Sequence, residues 1–277
     1  MILLVTGARS GFGKLVSITA ARRGHTVYAG LRDVSTASEQ LVPESAGLPV
    51  VPVQLDVASA DDQQAVVDRI LSEHGRIDGL VNNAGVALGG FLEQIDEDEI
   101  RRVFDVNVFA PWSLTKRVLP AMRAQRGGSV VMVSSMSGRM SFPGLGVYAS
   151  SKHALEGLSE AWYHELRHFG IQVTLVEPGA YATDIWTRNR TICRNGHDPE
   201  SPYAPYAAHL DTLFDRVVKR QVRDAQEVAD VIVDVLEGKR RELRIPMGSD
   251  AKLRLFLKRF APERALNKVL NLVSTPR

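Results

Sequence analysis

The stretch ILLVTGARSGFG, Ile2 to Gly13, decides the fold. An apolar run ends at Thr6 and passes directly into glycines at 7, 11 and 13, which open a helical pattern over Lys14–Arg23. A strand that turns on glycine into a helix begins a strand–helix–strand unit. Small residues in such a turn let the backbone approach a pyrophosphate, and the N–H groups of the first helical turn face its charge. An ordinary strand-to-helix turn uses the same glycines, so the turn alone leaves both readings open.

Working outward, further strands are expected at Thr26–Leu31, Val50–Leu55, Gly79–Val81, Ser129–Ser134, Gln172–Val176 and Glu242–Ile245. Helical patterns lie between them, as in Asp61–Glu73, where Ser59 is placed to cap the start and Gly75 to stop the end. Strands alternating with helices predict an α/β protein with right-handed crossovers and a parallel sheet of about seven strands, helices on both faces. The pattern breaks once. From Ile185 to about Asp224 no strand is predicted, and this Arg-, Tyr- and Pro-rich stretch is read as a substrate lid, 185–224, inserted into one domain spanning 1–277. A helical extension follows over 250–277.

Composition narrows the function. The 277 residues are 44% apolar and 24% charged, with a formal charge of +2 and scattered bases, which gives no case for nucleic acid. Cys193 stands alone and excludes an internal disulfide. No metal ligand set is expected. The opening MILLVTG is too short for a signal sequence, and no later run reaches the ~18 apolar residues of a span, so a cytosolic location is expected.

The second strand ends in VYAGLRD. Dinucleotide folds that prefer NAD place an acid here to hold the ribose 2′-hydroxyl. This chain has Leu31 and then Arg32, and a guanidinium binds a 2′-phosphate that a carboxylate would repel. With Arg9 in the glycine turn as a second cation, NADP(H) is favoured over NAD(H), and Asp33 is not read as the missing acid.

GVYASSK, Gly146 to Lys152, places a tyrosine and a lysine one helical turn apart. At about 100° per residue, Tyr148, Lys152, Leu155, Trp162 and Leu166 share one face, so both polar residues continue an apolar stripe. A lysine directed inward needs an anion or hydroxyls to satisfy it.

TGARSGFG at 6–13, LDV at 55–57, NNAG at 82–85, Asn107 within DVNV, SS at 134–135, YASSK at 148–152 and PGAYAT at 178–183 follow in one order along nearly the whole chain. In this the sequence resembles the short-chain dehydrogenase/reductase family, nearest in appearance to its 17β-hydroxysteroid and retinol dehydrogenase-like members. The resemblance implies a single Rossmann-type doubly wound domain and a Ser135–Tyr148–Lys152 set with Asn107. Tyr148 would exchange the proton with the carbonyl oxygen, its pKa lowered by Lys152 and by the oxidised cofactor. Ser135 would donate to the substrate oxygen, Lys152 would also hold the nicotinamide ribose, and Asn107 would anchor a water leading to the lysine. The turn of Gly7, Arg9, Ser10, Gly11, Phe12 and Gly13 would hold the phosphates. Asp56 and Val57 would meet adenine, Asn83, Ala84 and Gly85 the adenine ribose side, and Thr183 the carboxamide, with Pro178 and Gly179 shaping its turn.

For substrate, Met136, Met140, Phe142, Leu145, Tyr181, Ile185 and Trp186 suggest a bulky hydrophobic carbonyl or alcohol, such as a steroid, retinoid or long-chain ketone, and are equally read as lid core. Arg188, Arg190 and Arg194 are read as solvated loop arginines. The expectation is an NADP(H)-dependent reductase. The alternative is a nucleotide-binding sensor or scaffold without turnover, against which the complete Ser–Tyr–Lys set counts. The family usually forms dimers or tetramers, so a homo-oligomer is expected. The basic, amphipathic tail is read as covering its own domain or a subunit contact rather than a membrane.

Overall fold

In the computed structural model, the residues described are 1–35, 41, 43–181, 183, 185, 190–219 and 223–275. β1 (Ile2–Thr6) leads through the glycine turn into α1 (Gly11–Arg22), and β2 (Thr26–Leu31) and β3 (Val50–Gln54) follow. α2 (Ala60–His74) starts where the Ser59 hydroxyl accepts from the Asp62 N–H at 3.1 Å, and it stops at Gly75 in the left-handed conformation. Next come β4 (Gly79–Asn82), the short β5 (Ala87–Gly89) and α3 (Glu97–Phe104). α3 runs into a π-helical turn, Asp105–Phe109, and on into α4 (Ala110–Ala124). β6 (Gly128–Val133), α5 (Gly146–Leu166) and β7 (Ile171–Pro178) complete the middle of the chain. The last third holds β8 (Arg190–Ile192), α6 (Ala204–Lys219), α7 (Gln226–Leu236), β9 (Arg244–Met247), α8 (Ser249–Phe260) and α9 (Glu263–Ser274).

Seven strands form one parallel sheet in the order β3-β2-β1-β4-β6-β7-β9. Alternate strand residues feed two cores. Leu3 and Val5 pack with α1 and α7 through Val16, Val228 and Ile232. Leu4 and Leu80 pack on the other face with α2, α4 and α5 through Ile70, Leu114 and Leu155. Strand bounds match the sequence expectations to within two residues.

The segment expected to be strandless is corrected. Arg190–Ile192 pairs in parallel with Ala87–Gly89, and a sixteen-residue helix follows at Ala204–Lys219. A three-residue strand lies below what sequence periodicity resolves, because only its partner makes it a strand.

Candidate active site

Strand order reverses between β1 and β4, and a crevice of about 700 Å³ opens beyond their carboxyl ends. One end of it is the glycine turn. Gly7 has φ +65°, and a Cβ there would lie 2.9 Å from the Ala84 Cα. At Gly13 a Cβ would lie 2.4 Å from the Gly7 carbonyl oxygen and 2.5 Å from Asn83 Nδ2. The turn is clamped to NNAG: Asn83 Nδ2 donates to the carbonyls of Thr6 (2.9 Å) and Gly7 (3.2 Å), and Thr6 Oγ1 accepts from the N–H groups of Asn83 and Ala84. Gly11 and Phe12 line the crevice, and Ser10 makes no side-chain cap, so the first-turn amides of α1 are left for an anion. The residues present fit a pyrophosphate.

At the other end stand Ser135, just past β6, and Tyr148 and Lys152 on α5, all buried and all lining the crevice. The Tyr148 hydroxyl is hydrogen-bonded to Ser135, while Ser135 Oγ also accepts from the Ser137 N–H at 3.1 Å. Lys152 Nζ donates to the Val133 carbonyl at 2.8 Å and lies 5.9 Å from the Tyr148 ring centre.

Burial pushes the Tyr148 phenol up to about 12, and the Ser135 hydrogen bond pulls it back only in part. The expected lowering by Lys152 is therefore corrected for the chain itself. Desolvation of the phenol comes first, and the opposing cause is the Ser135 hydrogen bond rather than the Lys152 charge. The same burial brings Lys152 down to about 8, against the opposing charge of Glu156 one turn further on. Beyond Glu156, Glu177 of β7 is raised to about 7, first by burial and then by Glu156, with Arg139 and Arg244 opposing at 3.6 Å.

Asn107 lies behind the crevice wall, in the π turn. Its Oδ1 accepts from the Val86 N–H, and its Nδ2 donates to the Val86 carbonyl and to Ser151 Oγ. The side chain thus secures the NNAG loop against α5. Gly85 permits this, since a Cβ there would lie 3.3 Å from Asn107 Oδ1 and 3.8 Å from Lys152 Nζ.

Arg9, Arg32, Asp56, Val57, Asn83, Ala84, Gly85, Pro178, Gly179 and Thr183 all line the crevice. Thr183 faces the glycine turn, 3.7 Å from where a Gly11 Cβ would be. Asp33 also lines it, with its carboxylate accepting from the N–H and hydroxyl of Ser35. Gly13 lies behind, in packing contact only.

The expected substrate residues are less gathered. Tyr181 lines the crevice, but its ring is buried edge-on against Phe12 and its hydroxyl is bound to Glu227. Met136, Phe142 and Leu145 are not among the lining residues: Arg254 lies 5.4 Å above the Phe142 ring, and Leu145 bridges to Gly90. Trp186 and Arg188 lie outside the described residues. Of the arginines read as solvated, Arg190 is corrected: it pairs with Asp211 at 2.7 Å and lies 4.0 Å from the Phe214 ring. Arg194 is exposed as read, and binds Asp96 and Asp98. The sequence reading missed Val86, Arg102, Asp105, Val106 and Thr191, which also line the crevice. The β5–β8 pairing brings Thr191 there, and no local signal encodes it.

A parallel sheet whose strand order reverses, a glycine turn opening α1 and a buried Tyr148–Lys152 pair thus share one crevice. A family model described as short chain dehydrogenase matches residues 1–192. The chain is 38% identical to an uncharacterized oxidoreductase, YusZ, of Bacillus subtilis, over 97% of this chain and 96% of that one. It is 40% identical to a 3-ketodihydrosphingosine reductase of Bacteroides thetaiotaomicron, over 69% of this chain and 67% of that one. Among solved structures, a short-chain dehydrogenase/reductase from Burkholderia phymatum in complex with NAD superposes with a TM-score of 0.79 at 28% identity, covering 93% of this chain and 92% of that one. A metagenomic short-chain oxidoreductase in complex with NADP gives 0.68 at 25% identity, covering 89% and 96%. The chain belongs to the short-chain dehydrogenase/reductase family.

Proposed function

We propose that the protein is an NADP(H)-dependent oxidoreductase that interconverts a hydrophobic ketone or aldehyde and its alcohol, working as a reductase. One observation carries this reading: Ser135, Tyr148 and Lys152 meet in the wall of a crevice whose far end is an anion-binding glycine turn. The solved relatives hold NAD or NADP. Arg32 and Arg9 at the open end favour the phosphorylated form, and Asp33 is engaged by Ser35 within its own turn. Val86, Val133 and Ile185 give apolar walls, and one relative is named for reducing a sphingoid ketone, which together support a lipophilic carbonyl.

In this reading the glycine turn and Arg32 hold the phosphates, Lys152 the nicotinamide ribose and Thr183 the carboxamide. When bound, the cofactor supplies the hydride and, in its oxidised form, a positive charge beside the phenol. Ser135 Oγ donates to the substrate oxygen and orients it. Tyr148 Oη gives that oxygen its proton, and Lys152 steadies the phenolate left behind. Asn107 holds the loop against which these groups are set. A homo-oligomer formed through the surface beside Asn107, where Phe109 and Trp112 are exposed, accords with this reading.

The test is cofactor consumption with NADPH and NADH across steroid, retinoid, quinone and long-chain aliphatic carbonyls. NADPH is expected to give the higher kcat/KM, and Tyr148→Phe to lose about 10²–10⁴ of it while still binding NADPH. Inactivity with every carbonyl, or an unimpaired Tyr148→Phe enzyme, overturns the proposal, and a preference for NADH overturns the role of Arg32.

A further inference from the structure

α8 is amphipathic in the wrong direction for a helix that covers its own domain. Its inward face is small: Ala251 and Leu255 are the residues it buries. Its outward face carries Leu253, Phe256, Leu257 and Phe260, exposed by 58%, 60%, 41% and 65%. At about 100° per residue these four fall within a sector of roughly 100°. Phe256 and Phe260 adjoin each other, ring centres 4.7 Å apart.

Cations flank this apolar sector. Lys252 is exposed on one side of it, and Arg254 and Lys258 on the other. Over 249–275 the sequence holds Lys252, Arg254, Lys258, Arg259, Arg264 and Lys268 against Asp250 and Glu263. One of those two acids is already engaged, since Asp250 binds Arg223 and accepts from the Ala180 N–H at 3.0 Å. An apolar stripe edged by long basic side chains suits the boundary of a bilayer, where the rings enter the acyl region and the cations meet anionic headgroups. A protein partner with a dry apolar face would leave the exposed Lys252 unmatched.

The helix is also firmly mounted. Lys258 donates to the Arg139 carbonyl, Arg254 lies over Phe142, and Asp250 holds the backbone just after Gly179, which lines the crevice. We infer that the outward face of α8 is a docking surface for an anionic lipid bilayer, bringing the rim of the crevice to the membrane. The sequence reading ranked self-coverage or a subunit contact above a membrane contact; among the described residues of α8, self-coverage accounts for Ala251 and Leu255.

The surface stands or falls independently of the catalytic reading. The full chain is mixed with vesicles of phosphatidylcholine alone, or of phosphatidylcholine and phosphatidylglycerol in equal parts, and the bound fraction is measured by flotation. Binding is expected to the anionic vesicles, to weaken as salt is added, and to fall by about tenfold or more in Leu253→Glu/Phe256→Glu. The milder Leu253→Ser/Phe256→Ser variant is run beside it, and unfolding midpoints equal to wild type show that both variants fold. The inference is overturned if the wild type ignores anionic vesicles or if folded variants bind them equally well. It is also overturned if the substitutions instead split a dimer that never engages lipid.

Discussion

Lys152 is a cation held 4% exposed, with a backbone carbonyl as its hydrogen-bond acceptor. Burial brings Lys152 from an ordinary lysine's 10.5 down to about 8, so its charge costs the fold about 3 kcal/mol below pH 8. The sign follows from proton counting. Between pH 8 and 10.5 the unfolded chain binds the proton more tightly than the folded one, so stability rises with pH across that window. Lys152→Met is therefore expected to raise the urea midpoint at pH 7, with the gain fading from about pH 8 to 10.5, while activity collapses. Denaturation curves at pH 7 and pH 10 check it, and a variant less stable at pH 7 refutes it. The YxxxK spacing and apolar stripe reveal an inward lysine to a reader of the sequence. That burial pushes Tyr148 up to about 12 does not show there, because it depends on what surrounds the ring.

At the scale of elements, the junction of β1, α1 and the NNAG loop sets the shape of the crevice. Gly13→Ala is expected to force apart the turn and Asn83, destabilising by about 1–3 kcal/mol and weakening NADPH binding. Gly157→Ala makes a control, since a Cβ there meets nothing within 4 Å along α5. That variant should gain up to about 1 kcal/mol from helix propensity. Thermal melts and NADPH titration of both variants decide the matter, and equal behaviour would sink the argument from close approach. The glycines were legible because strand and helix periodicities abut there. The π turn at Asp105–Phe109 was not, since a single turn of five residues is too short for sequence periodicity to separate from an α-helix.

Across the whole molecule, the 190–219 segment is fastened to the 87–99 segment rather than packed on a large core. β5 pairs with β8, and Arg194 donates to Asp96 at 2.9 Å and to Asp98 at 3.0 Å. Tyr203 donates to Glu93 at 2.6 Å while its ring stacks on Phe91. Exposed ion pairs add little to global stability but bias local opening. Arg194→Ala should leave the global unfolding free energy within about 0.5 kcal/mol of wild type. Amide exchange over 190–196 should quicken, and added salt should mimic the effect in the wild type. Unchanged exchange there would show that the strand pairing alone holds the segment. These partners are some hundred residues apart in sequence, and no periodicity links them.

By itself the sequence determined the seven strands of the main sheet and their alternation with helices, the glycine turn, the tyrosine and lysine on one helical face and the likeness to a family, because each follows from spacing within a few residues. Tertiary structure alone decided that Asn107 braces a loop, that Arg190 and Arg194 are ion-paired, and that α8 turns its apolar face outward. Each of these depends on which distant surface lies opposite a side chain, and therefore on burial and partner rather than on the residue's own type.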